Sequence, residues 1–81
     1  MKVQVRLFAA ARDLAGADSI DVELPEPATV GALREVVASE YPELSELLRA
    51  VVFAVDSEYV DEQATIPPES EVACIPPVSG G

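Results

Sequence analysis

Eighty-one residues allow one small domain, and a chain of that length buries only about 60% of its unfolded surface, which leaves little room for an internal active-site cleft. Fifteen acidic against five basic residues give a net charge of −10 with no histidine, which argues against binding nucleic acid or an anionic membrane and removes the commonest general base. The single cysteine, Cys74, makes neither an internal disulfide nor a zinc site, and an apolar fraction of 49% separates the chain from disordered acidic tails.

The N-terminal segment alternates with period two. Val3, Val5 and Leu7 share one face and Lys2, Gln4, Arg6 and Phe8 the other, the pattern of a half-buried strand. This segment lacks the continuous apolar stretch of a signal peptide, and no run approaches a membrane span, so a cytoplasmic domain is expected. Ala9 to Ala15 is alanine-rich and stops at Gly16, as a short helix with a glycine C′ residue would. Ser19 to Leu24 alternates again until Pro25. Thr29 is then placed to cap a helix carrying Val30, Leu33, Val36, Val37 and Tyr41, which Pro42 ends. Glu43 to Arg49 adds one more turn with Leu44, Leu47 and Leu48 facing in.

Val51 to Val55 is a continuous apolar run and is expected to be a strand buried on both faces. Asp56-Ser57 turns the chain into a short strand at Glu58 to Val60. Ile66 to Ser70 is a second turn, and Glu71 to Ile75 the last strand. One long helix against a mixed sheet of four to five strands is an α+β arrangement, and the element order is that of a β-grasp, the ubiquitin-like fold. The expected division is a domain over 1–75 and an irregular tail over 76–81, where two prolines and two glycines oppose regular structure.

The search for catalytic groups is largely negative. No glycine-rich phosphate loop is present, and no nucleophile–base pair can be assembled with histidine. Asp56, Glu58, Asp61 and Glu62 lack the glycine and the twelfth-position glutamate of a calcium loop and read as a solvated acidic turn. Cys74 alternates with outward neighbours and reads as a small core hydrophobe beside Val72. Phe8 and Ile75 fall on the polar faces of their strands, and Tyr59 lies in an otherwise polar segment. These side chains are either surface scatter or, if the first and last strands are neighbours, one partner-binding patch.

The C-terminus is the informative feature. Val72 to Gly81 carries no charged side chain, and the sequence ends Pro76-Pro77-Val78-Ser79-Gly80-Gly81. A terminal Gly-Gly arises by chance in about one chain in 200 at average glycine usage. Two residues without β-carbons make a thin strand able to thread a narrow tunnel, with the Gly81 carboxylate as its only reactive group. A carboxylate is inert at neutral pH until converted to a mixed anhydride, so such a tail suits a substrate that other enzymes activate.

The segments Leu7 to Gly16, Thr29 to Arg34 and Glu71 to Gly81 together resemble the small, sulfur-carrier subunit of molybdopterin synthase, the MoaD/ThiS family. The resemblance runs essentially end to end. It implies that an E1-like adenylyltransferase adenylates Gly81 with ATP and that a cysteine-desulfurase-type donor then supplies sulfur, giving a thiocarboxylate. It further implies that the loaded tail, with Gly80 as its slim approach, enters the large subunit of a heterotetrameric synthase and passes sulfur to cyclic pyranopterin monophosphate. Two carriers are consumed per dithiolene, and the catalytic groups belong to the large subunit, so no cofactor resides on this chain. Family precedent places Phe8, Tyr59, Ile75 and the segment Pro76 to Ser79 against the partner. One departure is Cys74-Ile75, where relatives often carry an aromatic pair before Pro-Pro. The thiamin-pathway carrier shares the fold and tail, but its first two strands usually meet in a tight turn, whereas this chain inserts Ala9 to Asp18. A ubiquitin-like modifier joined to lysines, or an interaction domain with an accidental Gly-Gly, are the other readings.

Overall fold

The computed structural model describes residues 1–77. Strand β1 (Lys2–Leu7) leads through helix α1 (Ala9–Ala15) into β2 (Ser19–Glu23), and helix α2 spans Val30–Glu40. A 3-10 turn at Pro42–Leu44 and the short helix α3 (Ser45–Leu48) precede β3 (Val52–Val55), β4 (Glu58–Val60) and β5 (Val72–Ile75). The five strands form one mixed sheet in the order β2-β1-β5-β3-β4, in which only β1 and β5 run parallel.

The alternation of the sequence becomes one dry face. Val3, Val5 and Leu7 from β1, Ile20 and Val22 from β2, Phe53 and Val55 from β3, and Val72 and Cys74 from β5 are all buried. Against them pack Val30, Leu33 and Val37 of α2, together with Ala11, Leu44 and Leu48. Each fully buried large side chain contributes roughly 1.5–3 kcal/mol, so the α2 stripe alone anchors the helix layer.

Local chemistry sets the element ends. Gly16 adopts φ 71° as the left-handed residue after α1, and its N–H donates to the Arg12 carbonyl at 2.9 Å. At the start of α2 the orphan amides are satisfied in sequence. Val30 N–H donates to Ala64 O (3.0 Å), Gly31 N–H to Glu62 O (2.9 Å) and Ala32 N–H to Thr29 Oγ1 (3.2 Å). A β-carbon on Gly31 would stand 3.3 Å from the Glu62 carbonyl, so this close approach favours glycine.

Arg34 ties α2 to the segment entering β3. Its Nη1 donates to the carbonyls of Leu48 and of Val51 (the latter at 2.8 Å), its Nε donates to Glu62 Oε1 at 2.8 Å, and its guanidinium lies 5.0 Å from the Phe53 ring centroid. The β3–β4 hairpin turns on Asp56 and Ser57, both left-handed at φ 49° and 71°, which matches the twist of the flanking strands. Asp56 offsets that strain: its N–H donates to Glu71 O (2.8 Å), and its Oδ1 accepts from Glu71 N–H (2.9 Å).

One expectation is corrected. The apolar run Val51 to Val55 is not buried on both faces. Val51 is buried just before the strand and Phe53 and Val55 face the core, while on the outer face Ala54 is buried and Val52 is 44% exposed. All the helices lie on one side of the sheet, so outward residues of β3 meet no second layer.

Candidate partner-binding surface

The uncovered face follows from register. Arg6 is level with Ala73, Ala73 with Ala54, and Ala54 with Tyr59, which gives one row across four strands. In the next row Ile75 is level with Val52, and continuing the Leu7–Cys74 pairing brings Phe8 alongside Ile75. Phe8, Tyr59 and Ile75 therefore share the outer face, although they lie in or directly after three strands far apart in sequence. Tyr59 is 73% exposed, Phe8 is 39% exposed, and Ile75 is half-buried.

Val52 belongs to the same surface and was missed in the sequence, because a continuous apolar run does not say which face is covered. Arg6 reads in the sequence as an ordinary polar-face residue of β1. Its guanidinium lies 5.5 Å from the Phe8 ring centroid, so the i, i+2 alternation of β1 was the available signal. Leu14 is exposed too, but on α1 rather than on this row.

The tail leaves at the edge of this patch. Pro76 and Pro77 follow β5 outside regular structure, Pro76 half-buried and Pro77 exposed. Val78, Ser79, Gly80 and Gly81 lie outside the described residues.

Nothing else within 1–77 gathers reactive groups. No pocket is found among the described residues, and no three His, Cys, Asp or Glu side chains converge there as metal ligands. The acidic turn is occupied with structural work: Asp56 holds Glu71, Asp61 accepts from the Gln63 N–H at 2.9 Å, and Glu62 pairs with Arg34. Burial pushes the Cys74 thiol up from 9.0 to about 11, against a smaller downward pull from Arg34, so the group stays a protonated core side chain. No helix among the described residues is long and apolar enough to cross a membrane.

A parallel β1–β5 pair at the heart of a mixed sheet, with a helix laid across one face, defines a ubiquitin-like β-grasp domain. The description "ThiS family" matches residues 5–81, and the chain belongs to that ThiS/MoaD family. The molybdopterin synthase sulfur carrier subunit of Dictyostelium discoideum is 37% identical, covering 96% of this chain and 94% of that protein. Its counterpart in Arabidopsis thaliana is 33% identical over 100% of this chain and 84% of its own length. Among solved structures, a putative molybdopterin converting factor subunit 1 from Pyrococcus furiosus superposes with a TM-score of 0.84 at 32% identity, covering 96% of this chain and 99% of that one. SAMP1 from Haloferax volcanii superposes with a TM-score of 0.86 at 25% identity over the whole of both chains.

Proposed function

We propose that this chain is the sulfur-carrier subunit of molybdopterin synthase. The observation that carries the reading is the end-to-end similarity to proteins of that name, with 37% identity in one of them, on a domain with an uncovered sheet face and no pocket among its described residues. In this reading residues 1–75 are the docking domain and 76–81 the working tail. The Gly81 carboxylate attacks the α-phosphorus of ATP held by an E1-like adenylyltransferase, and pyrophosphate leaves. The terminal sulfur of a persulfide on a cysteine-desulfurase-type donor then attacks the acyl adenylate and displaces AMP, and a second thiol cleaves the resulting acyl disulfide, forming a disulfide with the donor cysteine and releasing the thiocarboxylate. Gly80 adds no side chain around the reacting carbon, and Pro76 to Ser79 extend it from the domain into the large subunit. There the sulfur passes to cyclic pyranopterin monophosphate in the cytoplasm. Phe8, Val52, Tyr59 and Ile75 supply the apolar contact that holds the large subunit while the tail is engaged.

A second reading, a ubiquitin-like protein modifier, is favoured by the likeness to SAMP1, a small archaeal modifier protein, over both full chains. Two measurements separate them, one in vitro and one in cells. The chain is incubated with the E1-like enzyme of its own organism, ATP and a sulfur donor, and its intact mass is followed. The expected result is the mass gain of one oxygen-to-sulfur exchange, lost on deletion of Gly81 without loss of fold. No gain, while a control carrier is converted, refutes the carrier reading. Abundant isopeptide adducts on cellular lysines, with molybdoenzyme activity unaffected by loss of the gene, establish the modifier instead.

A further inference from the structure

The outer sheet face has an uneven charge. In the two rows that hold the patch, the outward residues from β1 to β4 are Arg6, Phe8, Ala73, Ile75, Val52, Ala54 and Tyr59. Arg6 is the one cation in these rows, whose continuation past β4 brings the exposed Asp61 level with Val52, and it stands in a chain with three acids for every base. The other base of this face, Lys2, stands at the far end of β1 with its own partner, Asp21, at 3.7 Å. Arg12, Arg34 and Arg49 stand on or beside the helices.

Arg6 is also weakly committed within the domain. Its ion pair with Glu71 is a single contact of 4.0 Å between side chains 55% and 62% exposed, and its guanidinium rests over Phe8. A guanidinium has five N–H donors in a planar fork, so most of its hydrogen-bonding capacity is turned to water here. Docking any surface on Phe8 removes that water. A purely apolar partner would leave the cation desolvated and under-paired, which is strongly unfavourable. A carboxylate opposite the fork satisfies two donors at once and adds directional selectivity.

We infer that Arg6 is a specificity-determining residue, selecting a protein partner that sets a carboxylate against its guanidinium within an otherwise apolar contact. The inference rests on the partner surface of the proposed carrier function and adds the partner's chemistry at one point of it. The occupant is a different protein rather than a second copy of this chain, because two copies docked through this face would each bring an Arg6 cation into the same apolar rows.

The test uses the full chain and the synthase large subunit from its own organism, with binding followed by calorimetry and by association and dissociation kinetics. Arg6→Met keeps the apolar stem and removes the fork. It is expected to weaken binding at least tenfold, mainly through faster dissociation, because the partner carboxylate is left buried and unpaired. Arg6→Lys should recover only part of the loss, and Arg6→Glu should bind more weakly than Arg6→Met. A charge reversal of the facing carboxylate in the large subunit should restore binding to Arg6→Glu. Melting curves check that each variant folds, as expected for a side chain that is 55% exposed. Wild-type affinity in Arg6→Met overturns the inference while leaving the carrier function intact, whereas failure of the wild-type chain to bind refutes the underlying function. Self-association through this face, abolished by Phe8→Lys, would overturn the choice of partner.

Discussion

Replacing Arg34 by methionine tests whether the α2-to-β3 tie is a principal support of the domain. The guanidinium serves the Leu48 and Val51 carbonyls and the Glu62 carboxylate, and its side chain is only 22% exposed. A hydrogen bond from a charged donor contributes about 1.5–3 kcal/mol, but carbonyls at the edge of the core regain some water when the donor leaves. The Glu62 carboxylate is 53% exposed and is resolvated readily, so its share is small. Methionine retains apolar contact with Phe53. The two carbonyls therefore dominate, and the expected loss is about 2–3 kcal/mol. Domains of this length have stabilities near 4–12 kcal/mol, so the midpoint should fall by on the order of 10–20 °C. Thermal and urea unfolding monitored by circular dichroism measure it. Arg34→Lys should recover less than half, because one ammonium cannot reproduce the fork, and Glu62→Gln should cost less than about 1 kcal/mol. A loss below about 1 kcal/mol in Arg34→Met, or an equal loss in Glu62→Gln, would refute the reasoning.

Three further outcomes are expected. Gly16→Ala forces a β-carbon into φ 71° with no atom within 4 Å of it, so the cost is purely conformational. It should be about 1 kcal/mol by urea unfolding, with Gly16→Asn losing less. The folded state holds the Cys74 proton to a higher pH than the unfolded chain does. That contribution is intact below pH 9 and is lost as pH rises toward about 11. The wild-type stability should decline across that window by at most about 2–3 kcal/mol more than that of Cys74→Ala. Phe8→Lys should weaken large-subunit binding while shifting the unfolding midpoint little, since Phe8 is already 39% exposed; unchanged affinity removes Phe8 from the contact.

Most of the fold was legible because its signals are local. Alternation marks β1 and β2, Thr29 caps α2, Gly16 ends α1, and Asp56-Ser57 turns the β3–β4 hairpin. Each depends on a few consecutive residues meeting one hydrogen-bond or dihedral requirement. The burial of Cys74 beside Val72 followed from the same period of two. Val52 was not legible, since an unbroken apolar run looks the same whether one or both sides of its sheet are covered. The tie from Arg34 to Leu48, Val51 and Glu62 was hidden as well, because its partners lie fourteen, seventeen and twenty-eight residues away.

A small acidic chain without histidine, punctuated into a β-grasp order and resembling the MoaD/ThiS family along its length, was already evident from the sequence. Tertiary structure decided which side chains share the uncovered face of the sheet. Strand pairing is non-local, and only the central placement of β5 between β1 and β3 sets Phe8, Ile75 and Val52 beside one another with Tyr59 in the next row. The same pairing changes the meaning of the net charge. Acids crowd the chain between Asp13 and Glu71, yet the rows of the sheet face next to the tail present mostly apolar side chains around the cation of Arg6, with Lys2 at the far end of β1. A charge total sums over the chain, whereas recognition depends on which charges share a surface.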